Sequence, residues 1–163
     1  MKRLAVVAFG LLWTLLAQSA AQQSAPPPAT TNARPASVAA TSVTFTGAVA
    51  NELLYQFAQG MESRNARMTL GALDGTKFSG YQRFSEQVNA WFREMSGCRV
   101  YYKLKQATTE DGRGVALVDF EYEATPTAEG SSPVRRHEQM RFTFERSAKG
   151  WKIVDFSPRN LFS

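Results

Sequence analysis

Three carboxylates recur at alternate positions, Asp119, Glu121 and Glu123, within GVALVDFEYEA. Alternate residues of a strand share a side, so these acids form the kind of row that a cation site or a general acid–base pair uses. Each gains a basic or aromatic neighbour once adjacent strands are laid beside it, and a solvated charge lattice is the better reading. The only histidine, His137, falls on the same face. One imidazole makes no metal cluster, and it lies on the wrong side of the sheet for a general base. The only cysteine, Cys98, has no local histidine or basic pair to lower its pKa, so it is expected to act as a small buried hydrophobe. More informative are Arg136, Glu138 and Asp155, charged residues that alternate with apolar ones on what reads as the greasy face of the sheet. A charge there must be paired or lie at the mouth of a cavity. An ion pair at the open rim, Arg136 or Arg159 with Glu138 or Asp155, is the favoured reading; the alternative is that these three residues line a pocket with Tyr55, Tyr102 and Tyr122.

The elements that position them follow from periodicity. In FTGAVANELLYQFAQGMESRN the apolar residues Phe45, Val49, Leu53, Leu54, Phe57 and Met61 keep the three-and-four spacing of an amphipathic helix, with Thr46 as N-cap. A shorter helix is predicted over 66–73, ending at Asp74-Gly75, followed by a brief strand at Lys77-Phe78. Ser79-Gly80-Tyr81-Gln82 has capping-box spacing and opens a third helix with Tyr81, Phe84, Val88, Trp91, Phe92 and Met95 on one stripe, closed by Gly97. Beyond Gly97 the period falls to two. Segments 98–108, 114–124, 133–146 and 150–156 read as four strands joined by hairpin turns. Pro158 stops the last one, since proline has no amide to donate.

Tight turns fix the pairing. Arg99 should face Glu123, Tyr101 face Glu121 and Lys103 face Asp119; in the next hairpin Glu123 meets Arg135 and Glu121 meets His137; in the last, Lys152 meets Glu145. Opposite charges across a ladder favour a register by about 0.2–1 kcal/mol each. The opposite face then holds Val100, Tyr102, Leu104, Ala116, Val118, Phe120, Tyr122, Met140, Phe142, Phe144, Trp151 and Ile153. Val115, Leu117, Val154 and Phe156 are left as apolar residues on the charged face, a candidate dimer contact. Helices first and antiparallel strands second give an α+β fold, with the helices packed on one face of a curved sheet.

The chain's 163 residues allow one domain. Met1-Lys2-Arg3, the apolar run 4–17 and the small residues that follow have the form of a secretory signal cleaved after Ala21. The run is short for a bilayer span, which takes about 20 residues, and an uncleaved envelope tether is the alternative. Without residues 1–21 the chain has 17 basic and 14 acidic residues, interleaved, which is no nucleic-acid footprint. Residues 22–43 are rich in Ala, Pro, Ser and Thr and read as a flexible linker, so the domain is expected over 44–163. The lone cysteine permits no internal disulfide, and no motif for a metal, nucleotide or other cofactor is present.

The opening amphipathic helix, YQRFSEQVNAWFREM and the paired final strands MRFTFERSAKGWKIVDF resemble the nuclear-transport-factor-2-like superfamily over about 45–160. That superfamily includes ketosteroid isomerases, polyketide (SnoaL-like) cyclases and many small proteins. The resemblance implies a cone-shaped roll, its sheet wrapped around the first helix, with a pocket at the wide end and often a homodimer formed through the sheet. Its isomerases use a tyrosine and two pocket acids, one near the segment after the second helix. Asp74 is the only acid near that place, and its Gly-flanked turn explains it better as turn chemistry; Tyr55 on the first helix could take the tyrosine role or serve equally well as core.

The expectation favoured by these residues is an exported, non-catalytic cone domain, periplasmic or secreted, that binds a small apolar ligand or a protein partner. The first alternative is an isomerase- or cyclase-like enzyme with Asp155 or Glu138 as general base and a tyrosine as oxyanion donor. The second is a structural subunit that dimerises through the sheet, its pocket filled by side chains.

Overall fold

A computed structural model describes residues 44–162; the expected leader, cleavage point and linker lie outside the described residues. Helix α1 spans Gly47–Glu62, α2 Ala66–Gly71 and α3 Tyr81–Glu94. Strands β1 (Met95–Glu110), β2 (Arg113–Pro126), β3 (Val134–Ser147) and β4 (Gly150–Ser157) follow. They form one antiparallel meander in the order β1-β2-β3-β4. No described helix is long and apolar enough to cross a membrane.

The register follows the charge pattern. Arg99 faces Glu123, Tyr101 faces Glu121, Lys103 faces Asp119, Glu121 faces His137, Glu123 faces Arg135, and Glu145 faces Lys152. Ion pairing is more diagonal than the register alone implies. Lys105, at a bulge in β1, reaches Asp119 at 3.3 Å. Glu145 is held by Lys77 and Arg113, each at 2.7 Å, while the Lys152 ammonium donates to the Gly71 carbonyl.

The other side of the sheet makes the core. Val100, Val118, Phe120, Tyr122, Met140, Phe142, Phe144 and Ile153 are buried with Leu54, Phe57, Met61, Val88 and Trp91 of the helices. Phe57, on the inner stripe of α1, is fully buried, its ring 6.3 Å from those of Phe120, Phe142 and Phe156. Gly60, also on α1, lets α2 come close: a Cβ there would sit 2.4 Å from the Thr69 amide nitrogen.

Several local expectations are corrected. Lys77-Phe78 is not a strand. Asp74 folds the segment into a turn by accepting from the amides of Thr76 and Lys77. The strand-like contact comes earlier, where Leu73 bridges Ile153 in parallel and the Ile153 amide donates to the Ala72 carbonyl. The capping box does not form: Gly80 itself is the N-cap of α3, at φ 71° in the left-handed region that suits glycine, with no capping side chain. Gly97 does not close α3, because the backbone turns extended at Met95 and passes directly into β1.

The largest correction lies in β4. Thr143 pairs with Asp155 but Phe144 pairs with Ile153, so Val154 is an extra, bulged residue. One extra residue exchanges the two faces beyond it. Phe156, expected outside, is buried in the aromatic core, and Asp155, expected inside, sits opposite Thr143 on the outer face. Val115 and Val154 are buried although they lie outside the main core cluster. The expected apolar dimer patch on the outer face is thereby reduced to the half-buried Leu117.

Candidate functional site

The six expected pocket residues do not meet in one place. Tyr55 is 58% exposed on the outward stripe of α1, because its neighbour Leu54 takes the inward position. Tyr102 is half-buried, and its hydroxyl donates to the Asn51 carbonyl at 3.4 Å. Burial, then the nearby Tyr55, pushes its phenol above the ordinary tyrosine value. Asp155 belongs to the outer face. Its Oδ1 accepts from the Arg159 Nη2 at 2.5 Å, the Arg159 Nε at 3.1 Å and the Phe156 amide at 2.7 Å.

Tyr122, Arg136 and Glu138 do come together, because Tyr122 faces Arg136 and Phe120 faces Glu138 on adjacent strands. Their partners lie in the segment that follows β4. The buried Tyr122 hydroxyl donates to the Leu161 carbonyl at 2.7 Å, and the Arg136 Nη1 donates to the Asn160 carbonyl at 3.3 Å. Arg136 Nη1 also lies 3.6 Å from Glu138 Oε1, while Glu138 Oε2 is buried with no hydrogen-bond partner among the described residues. Leu161 is buried, and Phe162 packs its ring 5.1 Å from that of Trp91. Burial pushes the Tyr122 phenol up, against an opposing pull from Arg136. The segment after β4 therefore fills this end of the sheet.

The residues with eye-catching chemistry have ordinary partners. Glu121 is paired with Arg135, whose Nε lies 2.6 Å away, and Lys105 holds the Asp119 carboxyl below the usual carboxylate range. His137 is exposed opposite Glu121. Asp74 is held low chiefly by the Thr76 hydroxyl, so it is an anion of the turn. The Cys98 thiol is pushed up to about 12, by burial first and by Glu62 second. No cluster of His, Cys, Asp and Glu among the described residues has the makings of a metal site.

One groove escaped the sequence reading. Between the turn before α3, the first turns of α3 and the end of β4 lies an open hollow of about 370 Å³. Phe78, Phe84 and Phe156 form its floor, and Arg83, Gln87 and Arg159 stand around it. The three rings pack at 5.3–5.5 Å, and the Arg159 guanidinium lies 5.0 Å over Phe78. Its signal in the sequence was the pair Phe78 and Phe84 flanking Gly80, but the groove closes only when the β4 bulge turns Phe156 inward.

No family model matches the chain, and no curated protein matches it by sequence. Solved structures do share its fold. A putative scytalone dehydratase from Novosphingobium aromaticivorans superposes with a TM-score of 0.60 at 7% identity, over 67% of this chain and 79% of that one. A ketosteroid isomerase-like protein from Erwinia carotovora atroseptica gives 0.55 at 16% identity, over 67% and 91%. A nuclear transport factor 2-like superfamily protein from Salmonella enterica gives 0.55 at 12%, over 64% and 83%. The chain thus has the nuclear-transport-factor-2-like cone fold, an α+β roll shared by proteins that include enzymes. At these identities the likeness is one of fold, and a fold of this kind carries no particular activity with it.

Proposed function

We propose that this chain is an exported, non-catalytic cone-fold binding domain, set behind a cleaved leader and a spacer, that takes a small apolar ligand or a protein partner. The observation that carries this reading is the packing of Phe57 against Phe120, Phe142 and Phe156, which gives the space beneath α1 to side chains. The candidate bases support it. Asp155 is held by Arg159 on the outer face, and Glu138 lies beside Arg136. A general base has to be free to reach the proton it removes, and the Asp155 carboxylate is already engaged by Arg159 and the Phe156 amide. The Phe78–Phe84–Phe156 groove is the ligand site in this reading, since its size falls within the range of small-molecule sites, about 300–1,000 Å³.

One observation favours an isomerase- or cyclase-like reaction. The Glu138 Oε2 is buried without a hydrogen-bond partner among the described residues and stands near the Tyr122 phenol. In that reading the 160–162 segment moves aside, Glu138 removes a proton and Tyr122 stabilises the resulting oxyanion.

Native mass spectrometry of the protein purified from the envelope of its host separates the two. The binding reading expects a chain beginning at Gln22 that carries a non-covalent small molecule or partner, released chemically unchanged. A ligand-free chain that turns over an enolisable ketone, with turnover abolished in Glu138→Gln, contradicts it.

A further inference from the structure

The groove described above has a chemistry of its own. Its floor is three phenyl rings, each in contact with the others and anchored in the core through Phe156. Aromatic faces of this kind favour a flat ring laid over or against them. Its lining holds two guanidiniums, Arg83 and Arg159, and only Arg159 is offset by a paired carboxylate, Asp155, so the local balance is positive.

The two cations are not equivalent. Arg159 is already engaged: Nε and Nη2 bind Asp155, and Nη1 donates to the Ser79 carbonyl at 2.5 Å. Those three bonds fix it over the Phe78 ring and make it part of the wall. Arg83 stands on the first turn of α3 and makes no hydrogen bond or ion pair among the described residues. Gln87 lies one helical turn further on, lining the same hollow, so the two side chains sit on one helix face. A planar guanidinium recognises a carboxylate through two parallel hydrogen bonds, which an ammonium cannot match.

We propose that this groove binds a small aromatic carboxylate. The acid group pairs with Arg83, the ring lies across Phe78, Phe84 and Phe156, and the Gln87 amide is placed for a ring hydroxyl or carbonyl. This inference rests on the binding-domain reading and narrows its ligand from apolar to anionic-aromatic.

Calorimetry and amide NMR on the full exported chain test it, with naphthoate as probe and naphthylmethanol as its uncharged counterpart. Naphthoate is expected to saturate and to shift the amides of Gly80, Arg83 and Gln87. The alcohol should bind about tenfold more weakly, as expected for loss of a charge-assisted hydrogen bond. Arg83→Gln alters an exposed side chain and should leave the thermal midpoint unchanged while weakening naphthoate about tenfold. Gln87→Leu should weaken a hydroxynaphthoate more than naphthoate itself. Saturation at some other surface, equal binding of acid and alcohol, or unchanged affinity in Arg83→Gln overturns the proposal. So does the absence of any saturable shift. The two readings fail separately: a native adduct retained by Arg83→Gln protein sinks the carboxylate site and leaves the binding domain standing, whereas wild-type protein that carries no adduct and is catalytically active sinks the domain's proposed role.

Discussion

Phe57 and Tyr55 stand two residues apart on α1, and their substitution should separate sharply. Phe57 is fully buried at the meeting point of three other rings, while Tyr55 is 58% exposed. Removing a buried phenyl costs the transfer of its atoms and leaves a cavity that the neighbours close only in part, about 3–5 kcal/mol for Phe→Ala. Phe120 and Phe142 cannot follow the missing ring, because both are fixed to a hydrogen-bonded ladder on each side. The upper part of that range therefore applies to Phe57→Ala. For a domain stable by about 5–15 kcal/mol this is a large share of the total. With a urea slope of about 2 kcal/mol/M, the unfolding midpoint should drop by roughly 2 M. Tyr55→Ala, on the solvent stripe, should stay within about 0.5 kcal/mol. Urea denaturation followed by circular dichroism reads both. A loss below about 1 kcal/mol in Phe57→Ala, or a larger loss in Tyr55→Ala, would refute the phase assigned to α1 and the filled interior with it.

Gly60→Ala places a methyl carbon about 2.4 Å from the Thr69 backbone, which a rigid α1–α2 contact cannot absorb, so a loss of about 1–3 kcal/mol is expected in the same assay. An unchanged midpoint would mean that α2 shifts freely. The half-buried Cys98 thiol, pushed up to about 12, should alkylate with iodoacetamide at about pH 8 much more slowly than in unfolded chain; equal rates would contradict its burial. The carboxyls of Glu145, Glu110 and Asp119 are held low chiefly by hydrogen bonds from Lys77, Arg141 and Lys105 respectively. A carboxylate depressed in the folded state adds stability above its unfolded pKa and loses it as pH falls through the folded value. Urea midpoints should therefore be level above about pH 5 and decline below about pH 4.5, with a shallower decline in Glu145→Gln; a midpoint that rises on acidification would contradict the ion-pair assignment.

Much of the fold was legible because charge and hydrophobicity alternate on the same two-residue beat. Arg99, Lys103, Asp119, Glu121 and Glu123 specified both the outer face and the register, since an in-line mismatch would set like charges together. The pocket was less legible for a physical reason that sits in one residue. Periodicity carried through KIVDF assigns Asp155 to the core and Phe156 to water, but the Val154 bulge exchanges them. Nothing in the composition of that strand marks the bulge. The candidate site shifted with it: Asp155 left the interior, and Phe156 arrived to complete the floor beneath Arg83. Tyr122, Arg136 and Glu138 were correctly placed on the helix-covered side, yet their partners are the carbonyls of Asn160 and Leu161. Backbone acceptors leave no trace in a pattern of side chains. The capping box failed similarly, because Gly80 can take the left-handed backbone at the N-cap that the serine reading did not consider.

Whether rings or empty space lie between α1 and the sheet separates a binding domain from an enzyme, and xenon NMR measures that directly. Wild-type protein should show no saturable xenon shift in the side chains of Phe57, Phe120, Phe142 and Phe156, while Phe57→Ala, carrying a new apolar cavity, should show one. Saturable uptake by the wild-type protein at those rings would reveal space beneath α1 that side chains do not fill, contradicting the packing on which the non-catalytic reading rests.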